Sequence, residues 1–309
     1  MDPYIIGLVD VAAVLHVAWN VRLKTAGDPL RAATIGMLAA SLGIVPAGIA
    51  AWWVDGAPPL PIEGVALGIA SGIVEAVYFV FLAAAYRRGD LSVVYPIARG
   101  TAPLIAVAIG VTLLGERLGV GGSVGVVALL GGFLWLQRPW RALAMARDRT
   151  QAKGGGQPVA AAGRGVGSAV PFALATGVTI ATYTAIDRVG TRLIDPVPYA
   201  AILWVTSSVV LVLWIAFVAG GGLLRDGPGA TRHAAFGGWL TLAAYLCILT
   251  ALSVAPLSGV APLRESATVF AAAWGSVRLG EAADRADVGR RVGASVLIVG
   301  GALLLATGG

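Results

Sequence analysis

The chain has 309 residues, of which 58% are hydrophobic and only 12% are charged. Soluble domains carry about 25% charged residues, so this composition excludes an ordinary water-soluble protein. The net charge of +6 comes mainly from basic residues in short connections between apolar runs, which argues against nucleic-acid binding, and the single cysteine excludes an intramolecular disulfide.

Apolar runs of about 20 residues predict helices that cross a membrane, because that length spans roughly 30 Å of hydrocarbon. Short breakers such as Asp28–Pro29 and Asp195–Pro196 separate the runs. The pattern predicts an all-α integral membrane protein. Its ten transmembrane helices are expected at 4–22, 32–53, 64–86, 91–114, 119–136, 166–187, 198–219, 234–254, 257–278 and 288–307.

A basic, glycine-rich stretch at 137–165 interrupts the series of apolar runs after the fifth one. Its composition is typical of a solvated, flexible linker. We therefore expect a first five-helix repeat at 1–136, a cytoplasmic linker at 137–165 and a second five-helix repeat at 166–309.

The two repeats contain corresponding segments in the same order. The pairs are Arg99 with Arg264 and Leu114–Gly115–Glu116 with Leu279–Gly280–Glu281, 165 residues apart; Asp28–Pro29 with Asp195–Pro196, 167 apart; and Gly131–Gly132 with Gly300–Gly301, 169 apart. Because five is an odd number of helices, two tandem copies must insert with opposite orientations. The sequence thus predicts two inverted repeats around a central cavity.

Lysine and arginine are distributed unevenly over the predicted connections. The connections after odd-numbered helices hold 17 of these residues and the others hold 3. Cytoplasmic loops of membrane proteins carry the excess of basic residues. We therefore predict a multi-pass protein of the cell (inner) membrane with both termini outside.

Glu75 lies near the middle of the third apolar run, with no lysine or arginine within ten residues of it. At 1.5 Å per residue, Glu75 lies roughly 17 Å deep and Arg99, in the fourth run, about 12 Å deep from the same side. Charges at such depth are costly and usually functional. We expect Glu75 to pair with Arg99 and to bind substrate or a proton; a purely structural ion pair is the alternative.

Prolines that we expect to distort the helices accompany both intramembrane arginines, Arg99 and Arg264. These prolines are Pro96, Pro103 and Pro262. A proline inside a helix withdraws the carbonyl four residues earlier from the hydrogen-bond ladder, and for Pro103 that carbonyl belongs to Arg99. Interrupted helices at corresponding positions of two repeats indicate a transporter binding site, so both arginines are candidates for substrate binding.

Further polar and aromatic side chains are candidates because of their positions in the apolar runs. His16, Trp19 and Asn20 share a face of the first run, and Tyr183 and Asp187 occupy the corresponding places in the sixth. Packing or hydrogen bonding between helices explains each of them equally well. The remaining candidates are Tyr78 on the Glu75 face, Tyr95 in the fourth run and Glu265 beside Arg264.

Sequence motifs of enzymes and ATP-driven pumps are missing from the chain. It has no phosphate-binding glycine-rich loop, no His/Glu metal spacing and no nucleophile elbow. We expect no enzyme activity, no catalytic residue, no metal and no cofactor, with a proton or substrate gradient as the source of energy. The expected partners are a small-molecule substrate and the lipid bilayer, with no nucleic acid, in a monomer or a homodimer.

Three segments resemble the drug/metabolite transporter superfamily of the EamA type. They are 16–20, 95–103 running into 114–117, and 261–266 running into 279–281. The resemblance implies ten helices in two inverted repeats, and a central cavity that opens alternately to each side. It also implies a secondary transporter or exchanger of metabolites, amino acids or drugs. Asp187 departs from the first repeat, which has Asn20 at that place, so the resemblance implies an asymmetric cavity.

These features favour export or exchange of a small polar metabolite such as an amino acid. The arginines would attract its carboxylate, and Glu75 would bind its amine or carry the coupling proton. One alternative is an exporter of cationic drugs, in which Glu75 and aromatic side chains hold the cation. Another is a membrane enzyme or scaffold that moves no solute.

Overall fold

The computed structural model describes residues 2–88, 91–138, 140–141, 144, 169–264 and 285–307. The regular structure in these ranges is helical. The helices are α1 (Pro3–Thr25), α2 (Pro29–Val54), α3 (Ile62–Arg88), α4 (Leu91–Thr112), α5 (Val120–Gln137), α6 (Val170–Gly190), α7 (Pro196–Phe217), α8 (Gly227–Val254), α9 (Leu257–Leu263) and α10 (Arg285–Thr307). The predicted all-α fold is confirmed, with one described helix for each of the ten predicted spans.

The helix boundaries differ from the predicted ones most clearly at α6 and α9. Helix α6 runs from Val170 to Gly190 instead of 166–187, so Arg188 lies inside the helix and not in a connection. The described part of α9 ends at Leu263, and the rest of the predicted span, to 278, lies outside the described residues. The linker at 145–165 and the second Leu-Gly-Glu segment lie outside them as well.

The Asp-Pro breakers begin helices, as their chemistry predicts. The Asp28 carboxylate accepts hydrogen bonds from the Leu30 N–H at 3.0 Å and the Arg31 N–H at 3.3 Å, and Pro29 begins α2. Proline fits the first position of a helix, because the N–H that it lacks would have no partner inside the helix. Asp195 and Pro196 begin α7 in the second repeat, without a side-chain cap.

Five of the described helices are long and apolar enough to cross a membrane, judged by length and composition; they are α2, α3, α6, α7 and α8. Four others contain shorter apolar stretches, at Pro3–His16, Ile97–Thr112, Val120–Leu136 and Val292–Leu304. Large apolar side chains such as Leu42 and Val54 are 80% and 85% exposed, and lipid is the solvent that suits such a surface. The chain is a multi-pass membrane protein.

The helices of each repeat pack mainly against helices of the other repeat. The pairs α1·α8, α2·α8, α2·α7 and α5·α10 form such contacts, and so do α3·α6 and α3·α7. If each helix is exchanged for its counterpart in the other repeat, α1·α8 becomes α3·α6, α2·α8 becomes α3·α7, and the other two pairs are unchanged. A two-fold axis that relates two inverted repeats produces this pattern.

Residues on that axis touch their own counterparts. The Ser41 and Ser208 hydroxyl oxygens lie 3.0 Å apart. These serines are separated by the same 167 residues as Asp28 and Asp195, so they occupy equivalent positions in the two repeats. A residue can contact its own equivalent in this way only across a two-fold axis.

A close crossing of α2 and α8 depends on glycine. A Cβ atom on Gly238 would lie 2.0 Å from the Gly36 carbonyl oxygen, a backbone atom that no side-chain rotation can move. Small residues let membrane helices approach this closely. We expect Gly238→Ala to lower the free energy of unfolding by about 1–3 kcal/mol, the usual range for overpacking.

The Gly238 prediction is checked by thermal unfolding of detergent-purified protein followed by size-exclusion chromatography. Gly229→Ala is the matched control, because Gly229 lies on the same helix and a Cβ there meets no atom within 4 Å. Equal melting temperatures for the two variants would show that the crossing tolerates a larger separation of the helices.

Candidate functional site

Ionisable side chains of both signs are buried where the two repeats meet. We call Glu75, Arg99, Asp187 and Arg264 the central cluster; their exposed fractions are 4%, 8%, 0% and 6%. They come from α3, α4, α6 and the end of α9, so each repeat supplies one carboxyl and one guanidinium. Because such groups are expensive to bury, the central cluster is the candidate functional site.

Both arginines of the central cluster act on the same aromatic and imidazole groups. His16, Tyr78 and Tyr183 each lie within electrostatic range of Arg99 and of Arg264. The two guanidiniums, which come from different repeats, thus act on the same three side chains, and their binding of substrate stays a prediction. These three side chains belong to α1, α3 and α6, which therefore border the cluster.

Asp187 is held by two tyrosines. The Tyr199 hydroxyl donates to Oδ1 at 2.9 Å, and the Tyr245 hydroxyl donates to Oδ2. These two hydroxyls, from α7 and α8, take the place of water as hydrogen-bond donors to a carboxyl group that has no exposed surface. Hydrogen bonds to an ionised carboxylate stabilise the ionised form. Asp187 therefore has a fixed position and orientation between three helices.

Glu75 has a different environment. Its Oε2 atom is buried and has no hydrogen-bond partner among the described residues. The same holds there for the Ser207 hydroxyl and the Trp204 indole nitrogen on α7, a helix that packs against α3. Buried polar atoms are nearly always paired in proteins, so the Oε2 atom of Glu75 is suited to accept a hydrogen bond from a polar ligand or water.

Asp187 and Arg264 are among the charges that act on Glu75. The sequence predicts that Glu75 pairs with Arg99, because both lie at similar depths from one side of the membrane. Depth alone does not rank Arg99 against Arg264, because the inverted repeats bring both arginines near the middle of the membrane. Arg264 is thus a second cation near Glu75, and the pairing with Arg99 stays a prediction.

A continuous series of aromatic contacts links the central cluster to α1 and α7. The ring centroids of successive pairs lie 4.8–5.9 Å apart, and the series is His16, Trp19, Phe79, Tyr78, Tyr183, Tyr245 and Trp204. The Arg264 guanidinium lies 5.7 Å from the centroid of the Tyr245 ring. Aromatic faces attract cations, so this wall is able to receive a positively charged group as well as an apolar one.

The prolines do not break α4, which continues from Leu91 to Thr112 through Pro96 and Pro103. Pro103 lines a small void together with Arg264 from the second repeat. Pro262 lies one residue before the end of α9, and Arg264 follows as the C-terminal cap residue. The helical backbone of α4 thus runs through both of its prolines, whereas the distortion predicted at Pro262 stays a prediction, because the residues after Arg264 lie outside the described part of the structure.

Four of the sequence candidates are described only in part or not at all. The side chains of Asn20, Tyr95 and Pro96 lie outside the described part of the structure, and so does the whole of Glu265. Trp19 is buried, 4% exposed, between His16 and Phe79.

A second buried charge pair is formed by Glu116 and Arg188, the residue that follows Asp187 in α6. The Glu116 carboxylate accepts hydrogen bonds from the Leu257 N–H at 2.6 Å and the Ser258 N–H at 2.8 Å, and the Arg188 Nε lies 3.4 Å from it. Arg188 also donates to the Leu252 carbonyl at 2.5 Å. The Leu-Gly-Glu motif of the first repeat thus holds the start of α9.

Two contributors to these networks had weak sequence signals. The sequence predicts Arg188 in a connection, because the predicted span ends at residue 187, whereas α6 continues to Gly190. Tyr199 lies early in an apolar helix, where a tyrosine is usually explained by the membrane interface. Its pairing with Asp187 depends on how α6 and α7 pack, which the sequence pattern does not specify.

The chain is similar to known membrane proteins over most of its length. The model of the EamA-like transporter family matches residues 4–137 and 167–307. A search of curated proteins finds no match. A solved structure titled "Crystal structure of protein" shares the fold with a TM-score of 0.66 and 19% sequence identity, over 98% of this chain and 96% of that one.

Proposed function

The chain belongs to the EamA-like transporter family, and we propose that it is a secondary transporter that exports or exchanges a small polar metabolite, such as an amino acid, by alternating access. The observation that carries this proposal is the central cluster, in which two carboxyls and two guanidiniums are buried between inverted repeats. A zwitterion presents one charge of each sign. Such a solute is complementary to a site of this composition.

The residues of the cluster suggest separate roles. Arg264, and Arg99 from the other repeat, would bind the carboxylate, because guanidinium groups form strong charge-assisted hydrogen bonds to carboxylates. Glu75 would receive the amine or carry the coupling proton, since one of its oxygens has no hydrogen-bond partner among the described residues. Asp187 already accepts from two tyrosines and would position the aromatic wall.

The two-fold relation between the repeats supports alternating access. Tilting one group of helices against the other closes one end of such a bundle while its inverted equivalent opens the other end. The Ser41–Ser208 contact lies on the axis of that relation and would move least. The close crossing of α2 and α8 at Gly36 and Gly238 would let these helices stay packed during the movement.

Export of cationic drugs is the second candidate, favoured by the aromatic wall beside Glu75. Tyr183, Tyr245 and Trp204 form its contiguous rings. In that case Glu75 would neutralise the cation and the rings would enclose it. The buried arginines argue against this candidate, because they would repel a solute with no negative charge.

Thermal stabilisation of the purified protein distinguishes the two candidates. A ligand that binds only the folded state at 100 times its Kd stabilises it by about 2.7 kcal/mol. We expect at least one amino acid to raise the melting temperature, whereas tetraphenylphosphonium does not. Arg264→Gln should abolish the increase, and Arg192→Gln, an exposed arginine at one end of the bundle, should keep it. Stabilisation by tetraphenylphosphonium alone would support the drug exporter instead.

A further inference from the structure

A cavity of about 510 Å³ lies at the end of the bundle where α2 begins and where α3 and α7 end. We call it the basic cavity, because its charged lining consists of Asp28, Arg31, Arg87, Arg88 and Arg225. Its remaining wall is largely apolar and comes from α3, α6 and α7. The apolar members include Val80, Phe81, Phe172, Trp214 and Val218.

Arg31 is the deepest charge of the basic cavity. Its side chain is 4% exposed, and it donates to the Asp28 carboxylate at 3.1 Å and to the Gly221 carbonyl at 3.0 Å. Its Nε atom is buried and has no hydrogen-bond partner among the described residues. A guanidinium presents several donors in a rigid fork, and the described residues leave the Nε donor of Arg31 unused in the lining of the cavity.

Positive charge exceeds negative charge in the lining. Asp28 lies 4.0 Å from Arg87 and 4.0 Å from Arg225, so one carboxylate serves three arginines. Arg225 also lies 3.7 Å from Asp226. The side chains of Arg87 and Arg225 are 50% and 61% exposed, and are therefore free to turn towards an anion.

Three arginines of the basic cavity have uncharged counterparts at the opposite end of the bundle. The two-fold relation places there the counterparts of Arg31, Arg87 and Arg88. Those counterparts are Pro198, Ser253 and Val254. Arginine thus occupies these three positions only at the end that the distribution of basic residues predicts to face the cytoplasm. A general excess of positive residues near the lipid headgroups explains exposed arginines, but it does not explain why Arg31 is buried.

We propose that the basic cavity binds the phosphate group of an anionic phospholipid, with an acyl chain along its apolar wall. Basic pockets between transmembrane helices recognise anionic lipid headgroups through charge-assisted hydrogen bonds. The apolar wall reaches the lipid-facing surface, since Trp214 is 38% and Val218 62% exposed. A soluble phosphate ion would bind to the arginines but would make no favourable contact with the apolar wall.

The proposal is tested by titrating the full-length protein with phosphatidylglycerol and with phosphatidylcholine and counting bound lipids by native mass spectrometry. We expect phosphatidylglycerol to bind more tightly. The double substitution Arg87→Gln/Arg225→Gln should weaken its binding about fivefold per arginine, which corresponds to roughly 1 kcal/mol for each basic residue near an anionic surface. Both side chains are half exposed or more, so the variant is expected to fold.

The matched control is Arg117→Gln/Arg192→Gln, which removes two exposed arginines from the other end of the bundle. It should leave the affinity for phosphatidylglycerol unchanged. Equal binding of the two lipids by the wild type, or an equal loss in both variants, would overturn the proposal. Displacement of the lipid by glycerol 3-phosphate would assign the cavity to a soluble phosphate and would overturn the lipid assignment.

Discussion

Glu75→Gln is expected to lower the rate of substrate transport at least about tenfold, the effect of losing some 1.4 kcal/mol of interaction. Glutamine keeps the size and one carbonyl oxygen of the side chain, but it carries no charge and cannot bind a proton at neutral pH. The buried Oε2 atom of Glu75 has no hydrogen-bond partner within the described part of the chain, so the substitution breaks no hydrogen bond of that atom there. We therefore expect transport to fall without loss of the folded protein.

Transport by this variant is measured as initial uptake into proteoliposomes that contain equal amounts of folded protein. Glu63→Gln is the matched control, because Glu63 is exposed in the first turn of the same helix. Glu75→Asp tests whether the charge suffices, and partial transport is expected from it. Full coupled transport by Glu75→Gln would contradict a role for this carboxyl in binding or coupling.

Glu116→Ala is expected to lower the free energy of unfolding by about 3–5 kcal/mol, the usual effect of removing one partner of a buried ion pair. The Arg188 and Glu116 side chains are only 10% and 8% exposed, so the remaining guanidinium would stay buried without its carboxylate. The Leu257 and Ser258 N–H groups would also lose their acceptor. The start of α9 and the end of α6 should loosen together.

The loss of stability is measured by thermal unfolding in detergent. Glu63→Ala removes an exposed glutamate and should have little effect. Because Glu116 and Arg188 form a pair, the double variant Glu116→Ala/Arg188→Ala should be less damaging than the sum of the single ones. Additive effects of the two substitutions would mean that the ion pair contributes nothing to stability.

The helices and the equivalence of the two repeats can be predicted from simple sequence patterns. Run length predicts the helices, and the 167-residue offset of Asp28 and Asp195 predicts that Ser41 and Ser208 are equivalent. Their contact at 3.0 Å agrees with that equivalence. A repeat is detectable because its members occur in the same order, whereas any single matching pair in a chain rich in glycine and alanine carries little weight.

The membership of the central cluster was also foreseeable, because charged residues inside apolar runs are rare. Glu75, Arg99 and Arg264 stand out for that reason. The depth of a residue in the membrane does not predict that Arg264 acts on Glu75, since this depends on how helices of different repeats pack. Arg188 was missed because a shift of three residues in a helix end decides whether a charge lies in a loop or in the interior.

The measurement that tests the proposed transport site most directly is uptake of radiolabelled amino acids by proteoliposomes. Vesicles preloaded with the same unlabelled amino acids are compared with empty vesicles and with vesicles that contain Glu75→Gln. We predict faster uptake into the preloaded wild-type vesicles, because an exchanger returns from each side with a bound substrate, and uptake near the protein-free level for the variant. Uptake by the wild type no faster than by protein-free vesicles, with or without preloading, would contradict an amino-acid transport site at the central cluster.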